Sequence, residues 1–227
     1  MTHNSHQPRE SARQRALTAP NPSVRLQAAF LAGTHPDPDD LDLLLGRCAV
    51  EPDFFVRDTL SWALTRQDRT ATVDRLLAEL RSGVPQARSQ ALHTLSKIGD
   101  RRAWEAVAGF LQDPDDQIAR AAWRAAVALV PDGSVTGLAA TLATQLGRGG
   151  PDLQRSLSRA LAALGDPALA ALEPALASAD TAVRAHALAT RRLLHDPDEG
   201  FAAAIAEANR IIALQGAPLG QDSDADR

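Results

Sequence analysis

Apolar and polar positions alternate along this chain in a pattern that repeats six times: a polar cap, an apolar anchor, an arginine beside the anchor, then a helical run rich in Ala and Leu. The anchors are Val24, Val56, Ala87, Ile118, Leu153 and Val183, and successive ones stand 32, 31, 31, 35 and 30 residues apart. A fixed period of that length marks stacked helical repeats, where length measures the number of units and not one catalytic core. Between the arginine-bearing runs lie others with i, i+3, i+4, i+7 apolar spacing, such as Leu41, Leu44, Leu45 and Cys48, or Val73, Leu76, Leu77 and Leu80. Each unit therefore predicts two helices. The first helices fall at 9–19, 39–50, 70–82, 101–112, 134–147 and 167–178; the second at 22–33, 54–66, 85–98, 117–130, 153–164 and 181–194; a last helix at 198–214 covers the end. Asp or Asn opens the helices and Gly or Pro closes them, as cap chemistry requires.

The fold expected is all-α, a right-handed superhelix of six helix pairs plus a C-terminal capping helix. It fills a single solenoid over 9–215, with disordered tails at 1–8 and 216–227. Composition agrees, with 44% apolar residues but only 4% aromatic and no tyrosine, which suits helices packed closely through Ala and Leu. The lone cysteine, Cys48, excludes an intrachain disulfide and reads as a buried apolar residue. The N-terminus lacks an apolar signal core and no window reaches a membrane span, so a cytoplasmic protein is expected.

The runs V-R-L-Q-A-A-F-L-A-G, V-R-D-T-L-S-W-A-L and A-R-S-Q-A-L-H-T-L-S-K-I-G-D resemble the second helix of HEAT repeats, in the bacterial subgroup also called phycobilisome-lyase-like HEAT. They are also similar to HEAT modules of some bacterial MerR-type regulators. The residues ahead of the first repeat are too few for the DNA reader of those regulators, so DNA-binding regulation is not carried over. The resemblance implies that second helices line the concave face. It implies a solenoid used in many roles, with no particular chemistry attached.

Charge distribution adds what the net charge of -4 conceals: the six second-helix spans hold 12 of the 24 Lys and Arg but only one of the 28 Asp and Glu, Asp58. Arg25, Arg57, Arg88 and Arg184, one place after their anchors, are expected to pair with turn carboxylates as an internal ladder. In units four and five the arginine instead stands two places after the anchor, at Arg120 and Arg155, and Arg124 and Arg159 follow four residues on. Like charges at that spacing share a helix face and repel by about a few tenths of a kcal/mol, which an anionic partner relieves. The position six after each anchor reads Phe30, Trp62, His93, Arg124, Arg159 and Ala189, a stripe aromatic at first and basic toward the middle.

Candidate partner-binding residues are Asp58, Trp62, His93, Arg120, Arg124, Arg155 and Arg159, presented to an acidic protein segment or another anionic ligand. Nucleic acid is the alternative occupant. Asp58 and Trp62, one turn apart, loosely resemble the Asp and Trp of HEAT-like alkylpurine DNA glycosylases, in reversed order and without a second clamp. Trp104 and Trp123 read as packing residues. The six histidines form no metal-ligand spacing, and no nucleophile elbow or phosphate-cradling loop occurs. A non-enzymatic scaffold without metal or cofactor is the expectation; ligand identity and oligomeric state are not legible.

Overall fold

The computed structural model describes residues 12–215, so the expected tails at 1–8 and from Gly216 lie outside the described residues. Within them there are thirteen α-helices, two 3-10 turns and no strand. First helices of the pairs are α1 (Ala12–Leu17), α3 (Asp40–Val50), α5 (Arg69–Glu79), α7 (Trp104–Ala108), α9 (Val135–Ala143) and α11 (Asp166–Leu176). Their partners are α2 (Pro22–Thr34), α4 (Phe54–Thr65), α6 (Pro85–Ile98), α8 (Asp116–Leu129), α10 (Pro151–Ala162) and α12 (Thr181–His195), followed by α13 (Phe201–Gln215). No helix among the described residues is long and apolar enough to cross a membrane.

Two compact units emerge, one ending at Pro131 and one beginning at Asp132. In the first, α2, α4, α6 and α8 stand side by side, with α3, α5 and α7 packed against them. In the second, α10 packs on α12, α9 on α11, and α13 closes against α12.

Side-chain caps start the helices where the sequence places them. The Asp53 carboxylate accepts from the Val56 N–H at 3.0 Å, Asp115 from Gln117 and Ile118 at 2.8 and 3.2 Å, and Asp180 from Ala182 at 2.8 Å. Gly99 ends α6 at φ +68°, the left-handed region that favours glycine. Interhelical packing relies on small residues: in α8, Ala119, Ala121, Ala122, Ala125 and Ala126 are all buried beside Ile118 and Leu129.

The anchors Val56, Ala87, Ile118 and Leu153 are buried, whereas Val24 is 40% exposed and Val183 half-buried. The first exception follows from the stack: α2 has a second-helix neighbour, α4, on one side only. Cys48 is buried as expected, and burial pushes its thiol up to about 12. Helix α7 stops well short of the expected 101–112. The carbonyl of Leu111, left outside that helix, accepts the Trp123 indole N–H at 2.8 Å, which satisfies the donor of a fully buried ring. Trp104 is only half-buried, not a core residue.

The expected arginine ladder exists, but its recurring partner is backbone carbonyl and not carboxylate. Each of these arginines is the fourth helical residue, and Arg25, Arg57 and Arg184 reach back from there into the preceding turn. Arg25 Nη1 donates to the carbonyls of Ala19 and Pro20 at 2.8 Å, Arg57 Nη1 to Glu51 and Pro52 at 2.9 and 2.7 Å, and Arg184 Nη1 to Ser178 at 2.8 Å. A carboxylate joins at Arg25, which binds Glu51 through both oxygens at 2.7 Å, and one stands 3.8 Å from Arg88, on Asp113. In α8 and α10 the fourth position is Ala119 and Gln154; the Gln154 side chain takes over the contact, donating to the Gly149 carbonyl at 3.1 Å. The arginines displaced by one residue, Arg120 and Arg155, make no such contact.

Candidate functional site

Because α4, α6 and α8 start in the same way and lie side by side, their fifth and ninth residues align in rows. The fifth are Asp58, Ser89 and Arg120; the ninth are Trp62, His93 and Arg124. Between these helices opens a cleft of about 350 Å³ lined by Phe54, Arg57 and Asp58 of α4, by Ser89, Gln90 and His93 of α6, and by Gln117, Arg120 and Arg124 of α8.

Charge in the cleft is uneven. Asp58 accepts from Lys97 Nζ at 2.7 Å and lies 3.8 Å from His93 Nε2, and the Lys97 hydrogen bond is the main reason its pKa falls below the usual carboxylate range. Asp58 is thus an ionised, engaged group. His93 is pushed below its ordinary value first by burial, then by the charges of Lys97 and Arg124, against the pull of Asp58. Arg124 is lowered by desolvation and by the neighbouring Arg120. Neither arginine forms an ion pair with an acid among the described residues, and the buried Nε of Arg120 finds no hydrogen-bond partner. Two guanidinium groups thus share one wall without neutralisation, costly for the free protein and favourable for a bound anion.

The other expected residues go elsewhere. The Trp62 ring stacks on Phe30 with centroids 5.4 Å apart and an interplanar angle of 14°, and it covers Gly33, where any Cβ would collide with it. Trp62 thus packs one turn beyond the cleft and is not part of its lining. Arg155 and Arg159 belong to the second unit. Arg155 is paired with Asp152, three residues earlier in α10, and α8 likewise has Asp116 in its first turn, so both helices correct the expectation that Asp58 is the only acid of the second helices. Asp152 escaped because the helix was expected to begin at 153, two residues late.

Phe54 and Gln117 were not anticipated as lining residues. The signal was available: each is among the first two residues of a second helix, next to the fifth-position row.

Sequence reasoning also missed a buried polar cluster in the second unit. His186, fully buried on α12, accepts the Gly147 N–H at Nδ1, 3.0 Å, so its proton sits on Nε2, 3.0 Å from both the Gln154 carbonyl and Ser158 Oγ. Ser158 Oγ lies 2.8 Å from Thr190 Oγ1, which donates to the His186 carbonyl at 2.8 Å. Burial pushes His186 down to about 4, so the ring is neutral. Shut away from solvent and mutually satisfied, the cluster is structural. A larger groove of about 620 Å³ runs along α9 and α11, but alanines and prolines dominate its walls and no charged side chain lines it.

Residues 56–129 match the family model described as HEAT repeats. None of the curated proteins matches the chain. Solved structures that align with it include an engineered protein, at 18% identity over 86% of this chain and 96% of that one with a TM-score of 0.45. Human deoxyhypusine hydroxylase in complex with glycerol aligns at 18% identity over 90% and 94%, TM-score 0.44. The complex of CpcE and CpcF of phycocyanin lyase from Nostoc sp. aligns at 18% over 93% and 97%, TM-score 0.36. These are too distant to bear on chemistry. Helix pairs repeat throughout the described residues, which are all-α, and the stretch that carries most of the cleft, residues 56–129, is the one that matches the HEAT-repeat model.

Proposed function

We propose that the chain is a non-enzymatic interaction scaffold that binds an acidic protein segment or another anionic ligand in the cleft between α4, α6 and α8. The observation that carries this reading is the pair Arg120 and Arg124, one turn apart on α8, facing an open cleft whose one acid, Asp58, is engaged by Lys97. Where α2, α4 and α12 hold their arginine on the preceding turn, α8 puts Ala119 at that position and its arginine falls one residue later. Catalysis finds less support: Asp58, the one acid of the cleft, is held by Lys97, and Trp62 is committed to Phe30 and Gly33.

Fluorescence anisotropy with a labelled Asp/Glu-rich peptide, at two salt concentrations, tests the reading. Wild-type protein should bind in a salt-sensitive way. Arg124→Glu, a change on an exposed side chain, should shift stability by no more than about 0.5 kcal/mol while abolishing binding, because it replaces attraction with repulsion and slows association. A folded Arg124→Glu protein that binds the peptide as wild type does would sink the proposal. Tighter, steeply salt-dependent binding to duplex DNA would move the occupant to nucleic acid.

A further inference from the structure

Two aromatic rings at the start of α4 are left open to solvent, Phe54 at 65% and Phe55 at 71% exposure. Contiguous apolar patches are uncommon on monomeric proteins and mark interaction surfaces when polar groups rim them. This one adjoins the basic cleft, since Phe54 lines the same cavity as Arg120 and Arg124 and stands edge-on to Phe55 with centroids 5.6 Å apart.

The repeats themselves show that these phenylalanines are not required by the fold. At the first two positions of the second helices the chain places Pro22 and Ser23, Pro85 and Gln86, Asp116 and Gln117, Pro151 and Asp152, Thr181 and Ala182. Only α4 has Phe54 and Phe55 there. Exposed aromatic rings at a helix start neither cap the helix nor fill a core, so packing does not explain them.

We infer that the occupant of the cleft is an acidic segment of a partner protein that also carries an aromatic or leucine side chain. Its carboxylates meet Arg120 and Arg124, and its apolar side chain covers Phe54 and Phe55. This deepens the anion-binding reading and rests on it. A protein segment fits better than a nucleic-acid backbone because ionised Asp58 lies in the same cleft and repels an unbroken run of phosphates, whereas carboxylates in a peptide can be spaced around it. Gln90 and Gln117 add carboxamides that pair with the N–H and C=O groups of a peptide backbone. An inorganic anion would leave the aromatic rings uncovered.

The test uses the full chain and two short peptides with the same Asp and Glu residues, one bearing a leucine and a phenylalanine, the other serines in their place. Binding is measured by titration calorimetry to wild type, to Phe54→Ser/Phe55→Ser and to Arg124→Glu, each checked for folding by thermal melting. Wild type should prefer the apolar-bearing peptide by about tenfold or more, the scale of one well-buried anchor. The double serine variant should erase that preference yet keep salt-sensitive binding of the serine peptide. Arg124→Glu should lose both. Equal affinity of the two peptides for wild type overturns this inference and leaves the anion-binding reading intact; absence of binding by either peptide overturns both. Duplex DNA outcompeting the apolar-bearing peptide overturns the choice of a protein segment.

Discussion

Two carboxylates of one helix pair, Glu51 in the turn between α3 and α4 and Asp58 on α4, show how burial sets what a charge is worth. Glu51 is fully buried and takes Arg25 through both oxygens, Arg47 Nε at 2.7 Å and the Asp53 N–H at 2.9 Å. Burial alone would raise its pKa, but the hydrogen bonds from the two arginines outweigh it and hold the group at about 2. Asp58, paired with Lys97 in the open, contributes no more than about 1 kcal/mol, as exposed pairs do. Replacing one partner of the buried set is far costlier, because it strands the others out of water. Glu51→Gln should lower stability by about 3–5 kcal/mol in denaturant titrations. A loss under 1 kcal/mol would show that the arginines re-solvate freely.

At the scale of the helix, the recurrent arginine is a cap for the preceding turn, and its exact offset decides its role. Arg57 serves the Glu51 and Pro52 carbonyls, while Arg120, one position further along its helix, serves none. Arg57→Ala should cost about 1.5–3 kcal/mol, the range for hydrogen bonds to a charged donor. Arg120→Ala should be near neutral in the same melts, or raise stability slightly by removing repulsion from Arg124. Equal losses in the two variants would refute the division of labour. This offset was legible in the sequence, because it is a count of residues from an anchor, and so were the helix pairs, because apolar spacing and Asp caps are local signals. What the sequence hid depends on partners far along the chain. Nothing near His186 in sequence names Gly147 or Ser158, 39 and 28 residues away, as its neighbours. Trp62 read as a binding residue because its register matches His93 and Arg124; only the approach of Gly33 on α2, where no side chain intervenes, turns its ring onto Phe30.

For the whole molecule, the most strongly shifted groups of the two units that titrate in acid, Glu51 in the first and His186 in the second, differ in kind, and acid should separate them. His186 in the second unit is held at about 4, below the ordinary histidine value of 6.5, because its neutral ring is buried. The unfolded chain therefore binds that proton first, so the stability His186 contributes is complete above about pH 6.5 and is lost as pH falls toward 4. Glu51 in the first unit is depressed from 4.5 to about 2, so its contribution is complete above about pH 4.5 and is lost only as pH falls through 2. Trp62, Trp104 and Trp123 all lie in the first unit, which makes tryptophan fluorescence a reporter of that unit alone, whereas helical circular dichroism sees both. In an acid titration the dichroism signal should begin to fall between pH 6.5 and 4 while tryptophan emission stays native, and emission should change only at lower pH. His186→Gln, which keeps an N–H for Ser158 but cannot take up the proton, should move the first transition to lower pH and leave the second in place. Coincident transitions by both probes, or a first transition indifferent to His186→Gln, would show that the buried histidine does not govern the acid stability of its unit.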